Sequence, residues 1–265
     1  MTRDLDSWHQ EIPAVAAHRG GRNIGPENTI YGILEGLGAG ATHLEIDVRG
    51  TADDHAVCFH DDNAQRTCRE DVEIADLTLE EVRELDPCTK WSELAGIATG
   101  EQDPPQGMRA RHFQVPELHE ILELFSGVPT ILDLKDTAPV GVVVDAIEEG
   151  WQREKDLLLG GFDDDKIDEV ASQLDGVPRT TGRDEAEAFF SGETIEAEAL
   201  IIPPTHEGID LVDQTTVDRA HDQGAAVWVW TINDAAHARQ LFELGVDGII
   251  TDEPDKLARA RARSI

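Results

Sequence analysis

Short apolar runs alternate with longer amphipathic stretches along nearly the whole chain, and this rhythm restricts the fold more than any other feature. Alternation of this kind describes successive βα units, whose strands lie parallel because each helical connection crosses back over the sheet. Strands are expected at residues 14–17, 43–48, 130–134, 157–160, 178–180, 200–202, 226–231 and 248–251. Helices are expected at 28–38, 116–125, 140–150, 185–190, 212–223 and 235–244. Eight strands in 265 residues predict an α/β fold, a TIM-type (β/α)8 barrel that fills residues 1–265 as one domain. The segment 178–180 has little β-branched apolar character, which leaves an open doubly wound sheet as the alternative.

Residues 63–114 break the rhythm and are expected to form a small insertion, or cap, after the second strand. Within and just before it, 57–60 is expected as an extra strand, 78–85 as a helix opened by Thr78-x-x-Glu81, and 100–107 as loop. A βα excursion leaves a barrel at its C-terminal rim, where active sites are built, so a lid or pocket wall is expected here.

Charge narrows the function. Asp and Glu number 55 against 22 Lys and Arg, a formal net charge of −33. Nucleic acids and anionic membrane surfaces are held by clustered basic residues, so neither is an expected partner. With only five Lys among the 22 basic residues, the composition resembles that of proteins from halophilic organisms. Three cysteines, Cys58, Cys68 and Cys88, have no C-x-x-C spacing, which suggests neither a disulfide framework nor a thiolate metal site and fits a reducing interior. The opening MTRDLDSWHQEIP lacks the pattern of a secretory signal, and no apolar stretch reaches ~18 residues. A soluble cytoplasmic enzyme without stable membrane insertion is expected.

The strand pattern places chemistry on one face. Along His43-Leu44-Glu45-Ile46-Asp47-Val48, period 2 sends Glu45 and Asp47 to the face opposite Leu44, Ile46 and Val48. Along Ile131-Leu132-Asp133-Leu134-Lys135 it turns Asp133 and Lys135 toward the barrel axis. Three inward carboxylates repel one another unless a hard divalent cation, Mg²⁺ or Ca²⁺, neutralises them. Basic residues complement the acids: His18 and Arg19 follow the first strand, and His60 follows the apolar run Val57-Cys58-Phe59. Two imidazoles can divide general-base and general-acid work, while Arg19 and Lys135 can hold a phosphate oxygen. Three acids, a divalent ion and these two cations leave one positive charge, which a phosphodiester monoanion neutralises.

His43 shares the inward face a layer deeper and is expected as a hydrogen-bonded core residue, and Trp228 as barrel filling. Asp163-Asp164-Asp165 is read as a helix N-terminus. His9, His55, His112, His119, His206, His221 and His237 are assigned structural or solvent roles.

Nine segments in one order resemble the motifs of the glycerophosphodiester phosphodiesterase family. They are His18-Arg19-Gly20, Pro26-Glu27-Asn28-Thr29, Glu45-Ile46-Asp47-Val48, His60-Asp61, Leu77 to Glu81, Val115-Pro116-Glu117-Leu118, Leu132-Asp133-Leu134-Lys135, Trp230-Thr231-Ile232-Asn233 and Gly245 to Asp252. The resemblance implies a TIM-type barrel that hydrolyses a glycerophosphodiester, its small-molecule substrate, to an alcohol and glycerol phosphate. It implies Glu45, Asp47 and Asp133 as metal ligands, His18 and His60 as the acid/base pair, and Arg19 and Lys135 as phosphate ligands. Trp230 would lie against the glycerol or its substituent, and Glu27 would be a further polar group that orients Arg19. The family usually has Glu where this chain has Asp133. Other readings of the same residues are a lyase or phospholipase-type barrel that ends at a cyclic phosphate, an aldolase with Lys135 as Schiff-base nucleophile, and a non-catalytic phosphate-ligand binder.

Overall fold

Period-2 apolar patterning becomes a curled parallel sheet in the computed structural model, which describes residues 13–89, 91, 111–135, 137–150 and 156–261. The strands are β1 (Ala14–His18), β2 (His43–Gly50), β3 (Ala56–Cys58), β4 (Thr130–Leu134), β5 (Leu157–Gly161), β6 (Ala199–Ile202), β7 (Thr205–His206), β8 (Ile209–Asp210), β9 (Ala226–Val229) and β10 (Gly248–Thr251). The helices are α1 (Ile30–Gly38), α2 (Gln65–Cys68), α3 (Leu79–Glu84), α4 (Leu118–Leu124), α5 (Val140–Gly150), α6 (Asp164–Gln173), α7 (Arg183–Ser191), α8 (Gln214–Asp222), α9 (Ala235–Glu243) and α10 (Pro254–Arg261).

Seven strands run parallel in the order β5-β4-β2-β1-β10-β9-β6. The main chain of 178–181 fills the gap between the two ends. Leu159 N donates to Pro178 O at 3.0 Å and Thr180 N to Leu159 O at 2.8 Å, while Thr181 N donates to Ala199 O at 2.9 Å and Glu198 N to Arg179 O at 3.0 Å. The expected fifth strand therefore exists as a short bridged segment that closes the ring. Pro178 lacks a donor, and Arg179 N bonds the Glu198 carboxylate instead of a neighbouring strand.

Several element ends shift by one or two residues from the sequence expectation, and two of these shifts lie beside the site. β2 runs on to Gly50, because beyond the barrel it forms an antiparallel pair with β3 (Val48 opposite Cys58, Gly50 opposite Ala56). β9 stops at Val229, and the Trp230–Thr231 peptide that follows is cis.

Alternation sorts the core into layers. Ala14, Ala16, Ile131, Leu158, Ala199, Ala226, Trp228 and Ile250 fill the barrel interior, so Trp228 is packing, as expected. His43 lies against it at 5.3 Å between ring centroids and shares a 2.9 Å hydrogen bond with Thr42 Oγ1. Leu44, Ile46 and Val48 face outward into the layer between strands and helices. The described part of the insertion packs Ile74, Leu79 and Val82 against Val57 of β3 in a separate small apolar cluster. Its helix α3 carries the Thr78/Glu81 capping box. The expected loop at 100–107 lies outside the described residues. Cys58, Cys68 and Cys88 are free thiols. Among the described residues no helix is long and apolar enough to cross a membrane.

Glycine lets α1 approach the loop that follows β1. A Cβ at Gly36 would stand 2.3 Å from Gly20 O, and Gly20 itself takes φ +79°. Thr29 caps the helix by accepting from Gly32 N at 3.0 Å, a contact worth about 1 kcal/mol. This packing fixes the turn that carries His18 and Arg19.

Candidate active site

Register explains how residues remote in sequence converge. Parallel pairing sets His18 of β1 beside Glu45 of β2, and Asp47 of β2 beside Asp133 of β4. Lys135 follows β4, with its N–H bonded to Val48 O at 3.0 Å. Glu45, Asp47 and Asp133 each present a carboxylate oxygen, all within 4.8 Å of one another. Lys135 Nζ enters this group, 2.8 Å from Asp47 Oδ1 and 2.5 Å from Asp133 Oδ2.

Arg19 is held from both ends. It takes φ +54°, an unusual conformation for a side-chain-bearing residue that points its N–H at Glu45 Oε2, 2.8 Å away. Its guanidinium donates to Glu27 at 2.9 Å and lies 3.5 Å from Asp47 Oδ2. Asn28, also in the left-handed region, donates to Asp47 Oδ2 at 2.7 Å.

Both candidate histidines have a carboxylate on Nδ1. His18 meets Asp252 and His60 meets Asp61, each at 2.6 Å. Asp61 is shared with Arg66, which also forks onto both oxygens of Glu27 at 2.6 and 2.7 Å. A chain of alternating charge thus links His60 to Arg19 through Asp61, Arg66 and Glu27.

Burial sets the charge states. It opposes ionisation of Glu45, and neighbouring Asp47 and Asp133 add repulsion, so the carboxyl titrates well above the usual range. Burial acts on Asp47 too, but Lys135, Arg19 and His60 outweigh it and hold that carboxyl well below its ordinary value. Lys135 loses water on burial yet gains Asp47 and Asp133, which push its ammonium above the ordinary lysine value. A Schiff-base lysine needs the opposite shift.

These groups floor a cavity of about 1020 Å³ at the C-terminal ends of the strands, with His18, Arg19, Glu45, Asp47, His60, Asp133 and Lys135 in its lining. Phe162, Phe190, Leu211 and Trp230 form an apolar wall, Trp230 standing edge-on to Phe162 at 6.0 Å. All the residues singled out from the sequence line this cavity except Glu27, which sits behind Arg19. His206, assigned to solvent from the sequence, borders it. The described insertion residues instead line a shallower hollow of about 610 Å³ beside His60, so among them none walls the main cavity.

Other groups have structural explanations. Asp163 caps α6, and Asp164 accepts from the N–H groups that open α7. Glu117, His119 and Glu120 form a second cluster, but Arg83 and His55 occupy Glu117, and Arg111 occupies Glu120. His221 pairs with Asp247 at 2.8 Å. His9 lies outside the described residues. Sequence reasoning assigned no chemistry to Asn233, Asp252, Asp61 or Arg66; the first three stand in the quoted motifs, which was the available signal.

Inward acids and cations at the mouth of a parallel barrel suit attack on an anionic ester, and comparison with known proteins identifies the class as the phosphoric diester hydrolases. Residues 18–256 match the model of the glycerophosphoryl diester phosphodiesterase family, and the chain belongs to that family. A glycerophosphodiester phosphodiesterase of Caldanaerobacter subterraneus subsp. tengcongensis is 27% identical over 92% of this chain and 95% of its own. A phosphodiesterase of Oleispira antarctica, solved with the product sn-glycerol-3-phosphate, superposes with TM-score 0.74 at 25% identity, covering 94% of this chain and 96% of its own. The barrel of a Thermotoga maritima glycerophosphodiester phosphodiesterase gives TM-score 0.67 at 21% identity, over 96% of this chain and 100% of that one. The chain is an enzyme, a glycerophosphodiester phosphodiesterase.

Proposed function

We propose that hydrolysis depends on a divalent cation, Mg²⁺ or Ca²⁺, held by Glu45, Asp47 and Asp133, and on His18 and His60 as the acid/base pair. The supporting observation is the carboxylate group itself: three oxygens within 4.8 Å, with Asp133 Oδ1 buried and without a hydrogen-bond partner among the described residues. Buried oxygens without donors are costly, and an all-oxygen donor set suits a hard cation. When bound, such an ion polarises a phosphoryl oxygen and lowers the pKa of a coordinated hydroxyl or water.

The chain's own residues supply the rest. Arg19 and Lys135 hold the equatorial oxygens of the phosphate, where charge grows as the bond breaks. Glu27 fixes the Arg19 fork. Each histidine, its Nδ1 held by a carboxylate, offers Nε2 for proton transfer: one ring accepts the proton of the nucleophile and the other protonates the departing alkoxide. Trp230 packs against the glycerol or its substituent. The substrate is a small glycerophosphodiester, and the product of the Oleispira protein, sn-glycerol-3-phosphate, supports glycerol phosphate as the product here.

The test is hydrolysis of glycerophosphocholine and glycerophosphoethanolamine in chelator, then with Mg²⁺ or Ca²⁺ restored, with products followed by phosphorus NMR. Glycerol phosphate is expected only with metal. Full activity in chelator overturns the cation, and an unchanged rate for His60→Asn, against an expected loss of about 10²- to 10⁴-fold, overturns the acid/base role.

A further inference from the structure

Asn233 has no role in the chemistry above, and Asp252 enters it only as the carboxylate on His18 Nδ1, which it reaches from 234 residues away along the chain. Asp252 Oδ1 is 2.6 Å from His18 Nδ1, and Asp252 Oδ2 accepts from Asn233 Nδ2 at 2.9 Å. The orientation of the Asn233 amide is fixed. Its oxygen accepts from the main-chain N–H of Asp252 at 2.9 Å and from Thr251 Oγ1 at 3.0 Å. A backbone N–H can only donate, so the oxygen end must face it, and the NH₂ end is left for the Asp252 carboxylate.

That order of donors and acceptors propagates to the ring. An ionised carboxylate only accepts, so the proton of a neutral His18 resides on Nδ1 and the Nε2 lone pair is free for the cavity. Nε2 lies 3.9 Å from Glu45 Oε2, and Arg22 Nε lies 3.5 Å from Asp252 Oδ1. We propose that Asp252 and Asn233 are positioning residues that fix the tautomer and orientation of His18, so that Nε2 is the atom through which it exchanges a proton with the substrate. The inference rests on His18 as an acid/base group, as proposed above.

Asp252→Asn tests it. Asn233 Nδ2 still donates, so the new amide must turn its oxygen toward Asn233 and its NH₂ toward His18. Nδ1 becomes an acceptor and the proton moves to Nε2. Turnover should fall roughly 10²- to 10⁴-fold with little change in KM, the cost of the wrong tautomer in a carboxylate–histidine pair. Combining Asp252→Asn with Asn233→Asp reverses the order. The new carboxylate accepts from the main-chain N–H and from the amide, and the amide oxygen is free to accept from Nδ1. Every donor is again matched, and turnover should recover part of the loss seen in the single variant, stopping short of the parent because an amide lacks the charge that stabilises the imidazolium.

Nitrogen-15 NMR of histidine-labelled protein reads the tautomer independently of activity. A His18 proton that leaves Nδ1 in the single variant and returns in the double variant supports positioning. A ring that keeps its Nδ1 proton in Asp252→Asn, or a double variant with no return, overturns it. A tautomer that follows the exchange while turnover stays constant upholds the positioning contact and overturns the acid/base reading of His18. The double variant, with its donors satisfied, carries the test where the single variant fails to fold.

Discussion

Lys135 Nζ stands 2.8 Å from Asp47 Oδ1, inside the acid group rather than at its edge. The lysine therefore offsets the same negative charge that a metal ion would, and the two cations repel each other. Lys135→Met should leave divalent-ion affinity equal or tighter while lowering kcat/KM by about 10²-fold through the lost phosphate contact. Calorimetric metal titration and steady-state kinetics separate these effects. Weaker metal binding with unchanged turnover would contradict both assignments.

Glu45 predicts a conflict between stability and activity. Burial and then Asp47 and Asp133 raise its folded value, so the folded protein holds the proton more tightly than the unfolded chain. Its contribution is fully present below the unfolded value of about 4.3 and is lost as pH rises through the folded one. At neutral pH in chelator, Glu45→Gln removes this disadvantage without changing the side chain's shape. Its melting temperature should rise by roughly 2–4 °C, the effect of about 1 kcal/mol in a chain of this size, while hydrolysis is lost. A lower melting temperature in chelator would refute the argument.

The barrel and the acids were legible because both follow from period 2. One face of β2 had to carry Glu45 and Asp47, and parallel register then brought Asp133 alongside. Closure was less legible: residues 178–181 complete the ring through main-chain hydrogen bonds, which leave no apolar signature. The positions of Asn233 and Asp252 were hidden for a related reason. Their value lies in which end of an amide faces which carboxylate, and no spacing along the chain encodes that. Lys135 was expected from the sequence as a phosphate ligand beside the acids; the structure seats its ammonium between Asp47 and Asp133, whose charges offset the cost of its burial.

Acid should weaken the fold through a defined set of carboxylates. Burial opposes ionisation of Glu27, Asp61 and Asp252, but hydrogen bonds and charges from Arg66 and Arg19, from His60 and Arg66, and from His18 respectively hold all three below their ordinary values. The unfolded chain binds their protons more tightly, so the stability they supply is present above about pH 4 and is lost as pH falls through the folded values. In molar potassium chloride, which screens the surface, the urea midpoint of Glu45→Gln, which lacks the opposing contribution of Glu45, should hold from neutral pH to about 5 and then fall steadily. A midpoint constant to about pH 3 would show that these pairs contribute nothing net.

Salt should stabilise the protein, and the reason lies in where its charges sit. Acids exceed bases by 33, and among the described residues most of the acids are exposed, so their mutual repulsion extends over ~10 Å at 0.1 M salt but only ~3 Å at 1 M. The attractive pairs around Glu27, Arg19 and Asp47 are buried and screened far less. Raising potassium chloride therefore removes more repulsion than attraction. The melting temperature should climb steeply from low to molar salt, and neutralising a few exposed acids, for example Glu80→Gln with Glu84→Gln on α3, should shrink that dependence. If the melting temperature is flat or falls with salt, surface repulsion does not limit this fold and the acid excess serves some end other than stability.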